Sequence, residues 1–147
     1  VSSVLHSPVE VIDDLAEVHH GVFAGLTNAE IEDLHPGELG RREMNKYTWV
    51  FPGGESYADA GVRAIRALEE IAATGVDSPL LVTHEMMGRM LLRSLLDLDA
   101  DDALSLSMTH GTAFEVWPDE SRVKRHSPRA SSQTQTRKGG THTDATP

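Results

Sequence analysis

Apolar residues in this chain fall in short runs and in helical spacing, separated by turn-forming residues. Val9-Glu10-Val11-Ile12 predicts a short strand. Thr27 followed by Glu30 is a capping-box pattern, which predicts a helix from Asn28 to about Leu34 that Pro36 ends. Pro52-Gly53-Gly54 predicts a turn, and Ser56 a helix start. Val62, Ile65, Leu68 and Ala72 then recur at spacings of three and four, one face of a helix that runs to about Thr74 and ends at Gly75. Leu80-Leu81-Val82 predicts a short buried strand that stops at Thr83-His84. Met86 to about Leu96 is apolar enough for a mostly buried helix, and Thr112 to Trp117 predicts a final strand. Strands alternating with helices predict an α/β sandwich.

The pattern changes near residue 118. The segment 1–118 reads as one domain, with enough residues for a real core. From Asp119 apolar residues nearly stop, and Ser, Thr, Gln, Arg and Gly take over, so 119–147 reads as a disordered polar tail. The net charge of −10 is unevenly spread: 119–147 holds six of the 13 Lys and Arg but three of the 23 Asp and Glu. An acidic body argues against nucleic-acid binding, which needs a basic face. The lack of cysteine removes disulfide and thiolate chemistry. The longest apolar stretches are far too short to span a bilayer, and the first residues lack the basic-then-apolar pattern of a signal peptide. A first residue of Val points to a chain that starts inside a longer one, or at an alternative start codon.

His84 carries the most chemical information. It sits between a predicted strand and a predicted helix, at the carboxyl end of a strand where open α/β sheets bind ligands. The helix that follows would add free backbone N–H groups and its dipole, both suited to phosphate. The alternative is a histidine satisfied by hydrogen bonds at a strand end. A zinc-protease helix needs a second histidine four residues after His84, and that position is Gly88. The other histidines show no ligand spacing beyond the adjacent pair His19-His20, so no metal is expected. Gly54-Glu55-Ser56-Tyr57-Ala58 approaches a serine-hydrolase elbow, but Ala58 replaces the second glycine and Pro52 breaks the approach. Ser56 with Asp59 reads better as a helix cap. Glu17, alone, reads as a solvated carboxylate.

Three blocks together give Glu17 and His84 a shared meaning. The first is Leu15, Glu17, Gly21 and Gly25-Leu26-Thr27, with Glu30 following. The second is Pro52-Gly53-Gly54-Glu55-Ser56-Tyr57, leading into a helix with Arg63. The third is Leu81-Val82-Thr83-His84, leading into a helix. In this order and spacing the chain resembles the histidine phosphatase (phosphoglycerate mutase-like) superfamily over roughly residues 8 to 117. The resemblance implies a three-layer α/β sandwich of the phosphoglycerate mutase-like type. It implies phosphomonoester hydrolysis through a phosphohistidine, with no cofactor, on a small phosphorylated metabolite, in the cytoplasm. In that family an Arg-His-Gly histidine attacks the phosphoryl group, a second histidine and two arginines hold its oxygens, and a carboxylate protonates the leaving oxygen. His84 matches the second histidine and Glu17 the acid, which makes both catalytic and substrate-binding candidates.

The chain also departs from the family. It contains no Arg-His-Gly, and only 14 residues precede Leu15. The pocket arginine that follows the first strand and helix is missing, and Glu85 stands where glycine usually follows the second histidine. The expectation is an N-terminally truncated form without its first strand and helix, weakly active or inactive, with unpaired strand edges and exposed apolar surface. The alternative is a non-catalytic relative that binds a phosphorylated ligand or a protein.

Overall fold

Side-chain caps fix where most of the helices begin. The computed structural model describes residues 8–127. Thr27 caps α1, Asn28–Leu34, by the expected capping box: Glu30 donates its N–H to the Thr27 hydroxyl, and its carboxylate accepts the Thr27 N–H at 2.8 Å. Helix α2, Glu38–Met44, follows across Gly37, whose φ of +80° suits glycine. Ser56 and Asp59 form a second capping box at the head of α3, Tyr57–Ala73, which confirms the cap reading of Ser56. Helix α4 spans Glu85–Leu96 and begins at His84, whose side chain makes no cap hydrogen bond. Asp99 caps α5, Ala100–Ser105. Strands β1, Ala113–Trp117, and β2, Arg122–His126, pair antiparallel, with Ala113 opposite His126 and Trp117 opposite Arg122.

The core forms where α3 packs on α4. Ala60, Ala64 and Ala67 are fully buried on α3, and Met87 and Met90 on α4. Small side chains let the two helices approach, and the flexible methionines fill the space. Each buried methionine contributes about 1.5–3 kcal/mol through apolar burial. Phe23, Trp49, Phe51 and Tyr57 extend this core with edge and tilted ring contacts, including Trp49 on Phe51 at 5.0 Å between centroids.

The buried face of α3 differs from the one the sequence predicts. Val62 and Ile65 are 54% and 46% exposed, Ala72 is exposed, and Leu68 is half-buried. The stripe against α4 is instead Ala60, Ala64, Ala67 and Ile71. Periodicity could not choose, because α3 carries apolar residues on two faces and α4 covers one of them.

The three-layer sandwich is present only in part. The structure is rich in helices, with a single two-stranded sheet among the described residues. The predicted strands 9–12 and 80–82 belong to no ladder, and Leu80 and Val82 are each 66% exposed. A strand exists only with a lateral partner for its N–H and C=O groups, and neither segment has one among the described residues. Arg122–His126, expected in a tail beginning at Asp119, pairs with β1. The rest of that tail, 128–147, lies outside the described residues.

Candidate active site

The site is built where three irregular segments meet: the Leu15–Gly21 segment, the Pro52–Glu55 turn and the Leu80–His84 segment. The first two dock through their backbones. Val22 N–H donates to the Pro52 carbonyl at 2.9 Å, and Glu55 N–H to the His19 carbonyl at 3.0 Å. Gly21 and Gly54 make this approach possible. A Cβ on Gly21 would lie 2.0 Å from the Pro52 oxygen, and one on Gly54 2.0 Å from the His19 oxygen. Both blocks singled out in the sequence therefore need their glycines for close backbone contact.

Arg63 and Glu55 cross-brace the same region. The guanidinium donates to Glu55 Oε1 at 2.7 Å and Oε2 at 3.0 Å, and also to the carbonyl oxygens of Asp14, Ala16 and Glu17. Glu55 Oε1 accepts the His19 N–H at 2.9 Å. Burial would raise the Glu55 carboxyl, but the Arg63 hydrogen bonds, the His19 N–H and the Arg63 charge outweigh it, so its pKa lies below its usual value. The Glu55–Arg63 pair belonged to the second block, but nothing in its spacing foretold that it would grip the first.

The third segment is tied to the first twice. The Thr83 hydroxyl donates to the Leu15 carbonyl at 2.7 Å. Glu17 then reaches the head of α4, where Met86 N–H donates to Oε2 at 3.3 Å and Met87 N–H to Oε1 at 3.1 Å. Glu17 Oε1 also accepts the N–H of Val18 at 2.8 Å. Glu17 is therefore a half-buried helix cap rather than a solvated carboxylate. The expected free N–H groups at the head of α4 are corrected accordingly: those of Met86 and Met87 already have an acceptor.

His84 lies at the N-cap of α4, exposed, and among the described residues its ring has no hydrogen-bond partner. The reading of a histidine satisfied at a strand end finds no support there. Glu85 turns along α4 to Arg89, whose Nη2 lies 2.5 Å from its carboxylate; Arg89 also donates to the Leu104 carbonyl. His84, Glu85 and Glu17 all line one groove of about 1440 Å³, whose walls also include Leu68 and Ile71 of α3, Leu91, Leu92 and Leu95 of α4, residues 77–83, β1 and the Met108–Thr112 loop. No lysine or arginine is among its described lining residues. No group of three or more metal-ligating side chains occurs among the described residues. No described helix is long and apolar enough to cross a membrane.

A half-buried carboxylate, Glu17, and an exposed histidine, His84, thus line one groove at the head of α4. The sequence matches the histidine phosphatase superfamily (branch 1) over residues 1–127, and the chain belongs to that superfamily. It is 31% identical over 117 residues to a 6-phosphofructo-2-kinase/fructose-2,6-bisphosphatase of Aquarana catesbeiana, spanning 80% of this chain and 24% of that one. It is 32% identical to 6-phosphofructo-2-kinase/fructose-2,6-bisphosphatase 3 of Homo sapiens, spanning 80% of this chain and 22% of the relative. The chain thus spans about a quarter of the length of these relatives. Among solved structures, it resembles mycobacterial glucosyl-3-phosphoglycerate phosphatase in complex with inorganic phosphate. That match has a TM-score of 0.66 and 28% identity, over 88% of this chain and 68% of that one. A mycobacterial hydrolase matches with a TM-score of 0.59 and 32% identity, over 72% of this chain and 55% of the other.

Proposed function

We propose that this chain carries the second half of a histidine phosphatase site for phosphomonoesters, with His84 steadying the phosphoryl oxygens and Glu17 protonating the leaving oxygen. The observation that carries the reading is the shared placement of the two residues: Glu17 is hydrogen-bonded to Met86 and Met87, two and three residues after His84, and Glu17 and His84 line one groove. In the family's chemistry a histidine nitrogen attacks phosphorus while the ester P–O bond breaks and the acid gives its proton to the departing oxygen. Water then cleaves the phosphohistidine and releases phosphate, so one hard displacement becomes two. Such transfer asks mainly for positioned donors around the equatorial oxygens. The substrate class is a small phosphorylated metabolite, in keeping with relatives named for fructose 2,6-bisphosphate and glucosyl-3-phosphoglycerate. No cofactor is required, and we place the reaction in the cytoplasm.

The attacking histidine and the arginine donors belong, on this reading, to a segment outside these 147 residues, and the chain as it stands is weakly active or inactive. Three observations support that. The sequence contains no Arg-His-Gly. The groove is larger than a small-molecule pocket of about 300–1,000 Å³. The unpaired segments 9–12 and 80–82 and the exposed Val62 and Ile65 face of α3 leave apolar surface for further elements to cover.

Hydrolysis of a generic aryl phosphate, by this chain and by one extended upstream to include an Arg-His-Gly segment, tests the proposal. The extended chain should hydrolyse the ester and lose at least about a hundredfold in rate in His84→Ala. Turnover that is indifferent to His84→Ala would overturn the site assignment. A second reading, a non-catalytic relative that binds a phosphorylated ligand or a protein, is favoured by the lack of an Arg-His-Gly nucleophile in the sequence. It predicts His84-dependent phosphate binding without turnover even in the extended chain.

A further inference from the structure

We propose that Arg63 is the positioning residue for Glu17. The inference rests on the reading of Glu17 as the leaving-group acid, and adds the device that aims it. Residues 14–19 carry Glu17 on a backbone with no strand partner among the described residues, so its polar groups need other partners. Arg63 supplies partners for three of that backbone's carbonyls. Its Nη1 donates to Asp14 O at 2.8 Å and Ala16 O at 3.2 Å; its Nη2 donates to Ala16 O at 3.2 Å and Glu17 O at 3.4 Å. Thr83 takes the carbonyl of Leu15, and the Glu55 N–H that of His19. Beyond Glu17, Glu55 holds the His19 N–H and is itself held by Arg63.

One guanidinium and one carboxylate thus fix the main chain on both sides of Glu17. Only the side-chain torsions of Glu17 then separate that anchored backbone from the head of α4. The Arg63 and Glu55 side chains are 17% and 18% exposed, so their ion pair is shielded better than a surface one. A planar fork of five N–H donors can serve several carbonyls and a bidentate carboxylate at once, which a lysine ammonium cannot. All three guanidinium nitrogens are engaged this way, and Arg63 is not among the groove's lining residues. Arg63 therefore acts through Glu17 rather than on a phosphoryl group.

Amide hydrogen exchange at Met86 and Met87 in the full 147-residue chain reads the effect directly. These are early amides of α4 whose acceptor is the Glu17 carboxylate, 69 and 70 residues away in sequence. In Arg63→Gln their exchange should speed up by at least about tenfold, while Ala64, Ala67, Met90 and Leu91 stay within about twofold. Arg63→Lys should restore part of the protection, and the Glu17 carboxyl carbon resonance should move in Arg63→Gln and partly return in Arg63→Lys. Should Arg63→Gln unfold the chain, Glu55→Gln removes the charged partner more gently and should loosen the same two amides. Unchanged exchange at Met86 and Met87, or exchange rising in step with the whole molecule, overturns the proposal. The measurement needs no turnover. Its failure would remove Arg63 and leave the role of Glu17 standing. Aryl phosphate hydrolysis by the upstream-extended chain that is unaffected by Glu17→Gln would remove the acid and leave the exchange result intact.

Discussion

Glu17 Oε1 lies 3.1 Å from the backbone nitrogen of Met87, so a residue near the start of the chain caps a helix 70 positions further on. With the Thr83–Leu15 hydrogen bond, this contact joins the Glu17 segment to the His84 segment without any shared sheet.

Removing the cap should cost stability. Glu17→Ala should lower the unfolding free energy by about 1–2 kcal/mol, as for loss of other N-cap acceptors. Glu17→Gln keeps one acceptor oxygen and should lose less. Urea denaturation of the three chains checks the order; equal midpoints would show that the cap carries no weight.

Thr83→Val keeps the shape and loses the donor to Leu15 O, leaving a half-buried carbonyl without its partner. The expected loss is about 1 kcal/mol, with Thr83→Ser near wild type. A thermal melt distinguishes the two substitutions.

Gly54→Ala should be among the most damaging changes that add a single methyl group. Its Cβ would meet the His19 carbonyl oxygen at 2.0 Å, backbone against backbone, where no side chain can yield. A loss of about 2–3 kcal/mol is expected from urea midpoints. Gly40→Ala, with open space around its Cβ, is the control and should be neutral or slightly stabilising.

Ser56→Ala removes a buried cap hydroxyl that accepts the Asp59 N–H and donates to its carboxylate. It should cost about 1 kcal/mol, and Ser56→Thr should recover most of it. If Ser56→Ala left the melt unchanged, the capping box would be ornamental.

Acid should weaken the fold in a defined direction. The Ser56 hydroxyl and N–H hold the Asp59 carboxyl below its usual 3.8. For Glu55, burial pulls upward, but the Arg63 hydrogen bonds and the His19 N–H bring it below its usual 4.5. The unfolded chain therefore binds protons before the folded one. The contribution of these groups is complete above about pH 4.5 and is lost as pH falls through their lowered folded values. Arg63→Gln should flatten the acid limb of a stability-against-pH curve. An unaltered limb would mean that Arg63 does not hold Glu55.

Much of this was legible in residue order. The capping boxes at Thr27 and Ser56, the turn at Pro52-Gly53-Gly54, the buried helix after His84 and the three family blocks depend on neighbours within a few residues, where local sterics and hydrogen bonding decide. What the sequence did not settle depends on partners far along the chain. Segments 9–12 and 80–82 have strand-like side chains, yet a strand is a property of a pair. Helix α3 offered two apolar faces, and packing against α4 chose the alanine stripe over Val62 and Ile65. Residues 122–126 look too polar for a strand, but β1 supplies their ladder. Glu17 and His84 could be named from their motifs alone. Only the tertiary structure made Glu17 the cap of α4 and turned Arg63 toward its backbone, because irregular backbone must find hydrogen-bond partners wherever the fold brings them within reach.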